Sequence, residues 1–145
     1  MFLASIRHAI IFIITTCYAV SSLANGACFI NYDNKRHPIR LKFTYSDYVQ
    51  GAETPAKIKY EKGSSEIDVK YLKDEIISIG SRMNTAKTTY VEIIEEKKTG
   101  YYYLISDGAM PIELIYKNSR KKKAVVFNYD HAFETHDKCQ WETQK

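Results

Sequence analysis

The residues of this chain able to do chemistry are two distant cysteines, two groups of acids, a run of three tyrosines and a run of four cations. Cys28 and Cys139 are suited to a disulfide, because two thiols in an oxidising compartment pair. Such a bridge would tie the two ends of the mature chain together. Glu92, Glu95 and Glu96 carry the carboxyl groups that a general acid and base would need. Glu95 and Glu96, however, stand beside Lys97 and Lys98, where a solvated turn explains all four. His131 and His136 lie among Asp130, Glu134 and Asp137 and could supply nitrogen and oxygen ligands. Their spacing matches no standard metal site, and a polar tail carries such residues without binding metal. No G-x-G-x-x-G, G-x-x-x-x-G-K or G-x-S-x-G motif is present. The reading is a chain that binds and does not catalyse, with no cofactor and no metal.

Two features suit binding. The chain has 12 tyrosines, and tyrosine brings large, stiff, amphipathic area to an interface at low rotamer cost. In Tyr101-Tyr102-Tyr103, strand alternation sends Tyr102 to the face opposite Tyr101 and Tyr103, so at least one ring is expected on an outer face. Tyrosine also serves as an ordinary strand former that roofs a sheet. The run Arg120-Lys121-Lys122-Lys123 falls at an expected hairpin tip. It reads either as solvated edge protection or as a positive knob that steers an acidic partner. Tyr101, Tyr102, Tyr103, Arg120, Lys121, Lys122 and Lys123 are therefore the candidate contact residues.

The opening residues bear on the compartment. Arg7 and His8 precede an apolar run from Ala9 to Val20, and Ser22-Leu23-Ala24 offers the small residues read by a signal peptidase. A run of about a dozen residues is shorter than the roughly 20 needed to span a bilayer. Residues 1–24 are expected to be a signal peptide, with cleavage as late as residue 26, and 27–145 a single exported, periplasmic domain without a membrane anchor. A lipoprotein signal ending at Cys28 is the competing reading. Asn25 stands where an aliphatic residue is expected, and lipidation would leave Cys139 without a mate. The leader holds Cys17, Tyr18 and one of the 21 basic residues, but none of the 17 acidic ones. The mature chain stays mildly basic, too weakly so to make nucleic acid its partner.

The dominant period is two, the strand signal. Ile39, Leu41, Phe43 and Tyr45 alternate with Arg40, Lys42 and Thr44, giving a half-buried strand with a basic outer face. Ala56 to Tyr71 fits a hairpin turning at Lys62-Gly63-Ser64-Ser65. From Glu66 to Ile79 a helix fits nearly as well, since Val69, Leu72, Ile76 and Ile79 are three or four apart, Ser65 could cap its start and Gly80 its end. Thr88–Glu95, Tyr101–Ser106, Met110–Tyr116 and Lys123–Tyr129 are strand candidates separated by Lys97-Lys98-Thr99-Gly100, Asp107-Gly108 and 117–122. Connections that short require antiparallel neighbours. The expected fold is mainly β: one antiparallel curved sheet or small barrel, with one disulfide and at most a helix near 66–79.

The opening Met1-Phe2-Leu3-Ala4-Ser5-Ile6-Arg7-His8, the cysteines Cys28 and Cys139, the 145-residue length and the tyrosine- and lysine-rich strands resemble the precursors of plasmid-borne bacteriocin immunity proteins of the pesticin type. The resemblance implies a periplasmic protein that binds and neutralises a protein toxin, pesticin, whose activity domain is similar to a phage-type lysozyme and cleaves peptidoglycan. It carries over no functional residue, because no motif is matched. From the residues alone, a secreted enzyme or toxin-like effector is the alternative, and a structural or adhesive subunit a weaker one.

Overall fold

A computed structural model describes residues 24–33, 35–46, 55–79, 84–131, 134–135 and 138–142. Eight strands run β1 (Ala24–Asn31), β2 (Ile39–Ser46), β3 (Pro55–Tyr60), β4 (Glu66–Ile79), β5 (Asn84–Ile94), β6 (Lys97–Asp107), β7 (Met110–Asn118) and β8 (Val125–Tyr129). Each pairs antiparallel with its neighbours in sequence, and β1 pairs with β8, closing the meander into a barrel. A two-stranded tail of β9 (Glu134–Thr135) and β10 (Lys138–Cys139) follows, and a 3₁₀ turn covers Gln140–Glu142. The curved β fold with one disulfide is thus borne out, in its closed form.

Alternation decides what fills the barrel. Phe29, Leu41, Phe43, Ile58, Tyr102, Leu114 and Phe127 point inward and are buried, in a core that also takes in Ala27, Ala56, Val69, Tyr90 and Leu104. Eight strands enclose a space that side chains of this size fill. Aromatic rings meet across it: Phe43 and Tyr90 are edge to face at 5.0 Å between centroids, and Tyr102 and Tyr116 lie 4.6 Å apart.

Two expectations are corrected. Residues 66–79 are a strand, not a helix. Ile67 and Val69 pair with Ile58 and Ala56, continuing the expected hairpin. Farther along, register shifts between Tyr71 and Lys73 and between Ile76 and Ser78 each insert a residue. Val69 lies in the core with Ile67 and Tyr71 packed against it, whereas Leu72 and Ile76, which supply the spacing of three and four, are 48% and 64% exposed, so the helix-like pattern marks no buried face. Lys97-Lys98-Thr99-Gly100 is likewise not a turn but the start of β6. The reversal is made by Glu95 and Glu96, both at positive φ (48° and 62°), a conformation ordinarily given to Gly, Asn or Asp.

Cys28 lies on the outer side of β1, and its disulfide to Cys139 pins the tail against the outside of the barrel. Glu142 reinforces the attachment: its Oε2 accepts hydrogen bonds from the Cys139 amide and from Lys42 Nζ, each at 3.0 Å. The cross-link spans 111 residues. Its removal from the unfolded-state constraint is worth about 4–5 kcal/mol in the chain-entropy account. Reduction is expected to lower the free energy of unfolding by about 2–5 kcal/mol, read from denaturant midpoints with and without reductant.

Candidate functional site

In an up-and-down barrel the turns alternate between two ends. One end gathers the connections β1–β2 (32–38), β3–β4 (61–65), β5–β6 (95–96) and β7–β8 (119–124). Exposed cations stand on all four or on the strand ends beside them: Lys35 and Arg36, Lys62, Lys97 and Lys98, and Arg120 to Lys123. Exposed acids at this end include Asp33, Glu95 and Glu96, so the basic excess is concentrated in the 119–124 loop. A cleft of about 510 Å³ opens beside the first two turns, lined by His37, Pro38, Ile39, Arg40, Tyr60 and Glu61 among others. Arg40 there pairs with Glu61 at 3.2 Å.

The basic loop is held from inside the barrel. Glu92 is 3% exposed and its Oε2 accepts hydrogen bonds from Tyr116 OH and Thr99 Oγ1, both at 2.9 Å. Thr99 reaches it because the ladder slips between Glu92 and Ile93: Glu92 opposes Gly100 and Ile93 opposes Lys98, leaving Thr99 as the extra residue. Gly100 is needed for close approach, since a Cβ there would lie 2.6 Å from Tyr116 Cε2. Asn118 Nδ2 donates to Tyr116 OH at 3.4 Å, and Asn118 then shapes the loop. Its Oδ1 accepts from the Arg120 amide at 2.9 Å and its carbonyl from the Lys121 amide at 3.3 Å, while Ser119 N donates to Thr99 O at 3.0 Å. The path from Glu92 through Tyr116 and Asn118 fixes the base of the loop, leaving the four cationic side chains exposed.

Beside this network Tyr60 OH and Tyr102 OH share a hydrogen bond of 3.1 Å. Burial raises the pKa of both phenols; in Tyr102 the neighbouring Tyr60 adds to the rise, whereas in Tyr60 the shared bond works against it. Burial also pushes Tyr116 up to about 12, with Glu92 as acceptor and as charge contributing in the same direction.

The candidate contact residues divide. Tyr102 is 0% exposed and belongs to the core, so it is no surface contact; alternation put the middle tyrosine, not the outer two, on the barrel side. Tyr101 and Tyr103 lie on the outer wall, stacked with centroids 6.5 Å apart. Tyr101 opposes Lys117 in the ladder, and Thr99, two residues before it, bonds to Ser119. The tyrosine pair and the Arg120–Lys123 loop therefore form adjoining parts of one surface. Tyr103 continues it upward beside Ile115, with Lys87 5.9 Å from its ring centroid. Glu92, considered above only as a possible acid, is the buried anchor of the loop that sequence reasoning missed. Its inward position follows from sharing parity with Tyr90, a signal available once the β5 register is known. His131 is exposed with its ring 4.4 Å from that of Tyr129, and His136 and Asp137 lie outside the described residues.

No protein-family model, curated protein or solved structure matches the chain.

Two outcomes follow from this network. Tyr116→Phe removes one of the two donors to a buried carboxylate and is expected to cost about 1–3 kcal/mol in denaturant unfolding, with faster amide exchange at Ser119 to Lys121. A phenol raised in the folded state stabilises fully below its unfolded value near 10 and loses that contribution as pH climbs through the folded one. Stability is thus expected to hold to about pH 10 and then fall toward about 12. Phenolate absorbance titrated beside circular dichroism checks this, with Tyr60 and Tyr102 ionising only as the barrel unfolds.

Proposed function

We propose that the domain is a periplasmic bacteriocin immunity protein, which binds a muramidase-type toxin of the pesticin kind and blocks it without catalysis of its own. The observation that carries the reading is the basic loop 119–124, presented next to the Tyr101–Tyr103 pair on a rigid barrel and braced by the Glu92 network. Muramidases act with carboxylates flanking a cleft, and such a cleft is complementary to projecting lysine and arginine. Tyr101 and Tyr103 supply the rigid apolar area that anchors an interface, and the cations supply encounter rate and orientation. The resemblance at residues 1–8, at the two cysteines and in overall length supports the same reading. The export expected from residues 1–24 would bring such an inhibitor to the place where the toxin meets the cell wall.

The test is a pull-down of the mature, oxidised protein against pesticin and a panel of muramidases, scored by inhibition of peptidoglycan lysis. Stoichiometric, saturable inhibition is expected for one toxin, and absence of both binding and inhibition would sink the reading. Reversing the loop with Arg120→Glu, Lys121→Glu, Lys122→Glu and Lys123→Glu is expected to slow association by about tenfold or more and to flatten its salt dependence. An unchanged association rate would remove the loop from the interface.

A further inference from the structure

A second site lies on the opposite wall, four strands away from the β6–β7 surface. Lys42 of β2 and Lys59 of β3 are ladder partners, so their side chains leave the same outer face side by side. The tail closes over them. Lys138 precedes the disulfide-bonded Cys139, Trp141 and Glu142 follow it, and these five residues other than Cys139 line a pocket of about 360 Å³. Lys42 and Glu142 satisfy each other at 3.0 Å and are largely shielded, with side chains 16% and 19% exposed. Glu66, the ladder partner of Lys59 on β4, is turned to Lys57 at 3.3 Å. Lys59 and Lys138 thus face the pocket with no ion-pair partner among the described residues. Two uncommitted ammonium groups beside a half-buried indole ask for an anion on a ring: the cations take the oxyanion, and the indole takes the flat, apolar face.

We propose that this pocket binds a small cyclic organic anion, of the class of acidic sugars, with Lys59 and Lys138 on its carboxylate and Trp141 against its ring. Lys42 and Glu142 act as positioning residues that hold the 3₁₀ turn, and with it Trp141, against β2. Three of the five lining residues come from the tail, which the Cys28–Cys139 bridge attaches to β1. The site is therefore assembled by the disulfide and lost on reduction. This proposal does not depend on toxin binding, which is assigned to the other wall.

Trp141 is the sole tryptophan of the chain, so its fluorescence reports on this pocket alone. Titration of the oxidised protein with glucuronate is expected to give a saturable change, with inorganic phosphate binding more weakly and glucose giving none. Lys59→Gln with Lys138→Gln, two surface changes that leave the core intact, is expected to weaken glucuronate by about tenfold or more, the loss of a charge-assisted contact. Reductant is expected to abolish the response while far-ultraviolet circular dichroism keeps its β signature. No saturable response to glucuronate overturns the proposal, as does a response that the double lysine variant leaves unchanged. Equal binding of phosphate and glucuronate overturns the role given to the ring. If reduction unfolds the barrel, the double variant alone decides.

Discussion

The seam between β1 and β8 is the constraint on which this molecule depends. The other ladders join consecutive strands through at least four register pairs, whereas the seam has two, Phe29 with Tyr129 and Ile30 with Asn128. Everything around it compensates. Asn31 Nδ2 donates to Val126 O at 2.8 Å, Asp130 N donates to Cys28 O at 2.9 Å, and the Phe29 and Tyr129 rings meet edge to face. The disulfide then fastens the chain beyond β8 to the middle of β1. Without this closure two edge strands would be left with unpaired amides and carbonyls, and the inward aromatics would lose their enclosure.

The interior shows how polar groups are tolerated in a space this small. The centre is apolar, and the polar side chains collect toward the end where the four tight connections lie. There Glu92, Thr99, Tyr116 and Asn118 satisfy one another, and Tyr60 and Tyr102 do the same, in the manner required of buried polar groups. The consequence reaches the surface, because the last member of the chain, Asn118, is the residue that turns the backbone into the cationic loop. Core and cationic loop are in this sense one network.

Much of the architecture was legible from alternation. The β2 strand with its basic outer face, the β3–β4 hairpin, the four later strands and the pairing of Cys28 with Cys139 all follow from period-two patterns and cysteine position. What alternation could not reach were the places where the ladder slips. Exposed apolar residues, Leu72 and Ile76, gave β4 a helix-like spacing, and the slip beside Glu92 hid Thr99 and its acceptor. The Glu95-Glu96 turn carries none of the residues that mark such turns, and so Gly100, a few residues on, drew the assignment to itself. The tyrosine run was read in the right alternation but not its sign: only the register of β6 against Tyr90 and Tyr116 sends Tyr102 inward. β1 was concealed differently, its Ala27-Cys28-Phe29-Ile30 core lying directly after a segment read as a leader.

The ladder order also dictates a temporal order. Synthesis delivers β1 before the other barrel strands, yet one of its two neighbours, β8, is the last barrel strand to be made, and Cys139 comes later still. Each hairpin from β2 to β8 can pair with what has just emerged, through local contacts that close quickly. β1 alone must hold one of its two hydrogen-bonding edges open until β8 is made. Until then the edge that β8 covers stands beside Cys28, whose disulfide partner is made later than β8 itself, so the closing ladder and the cross-link both wait on the last part of the chain.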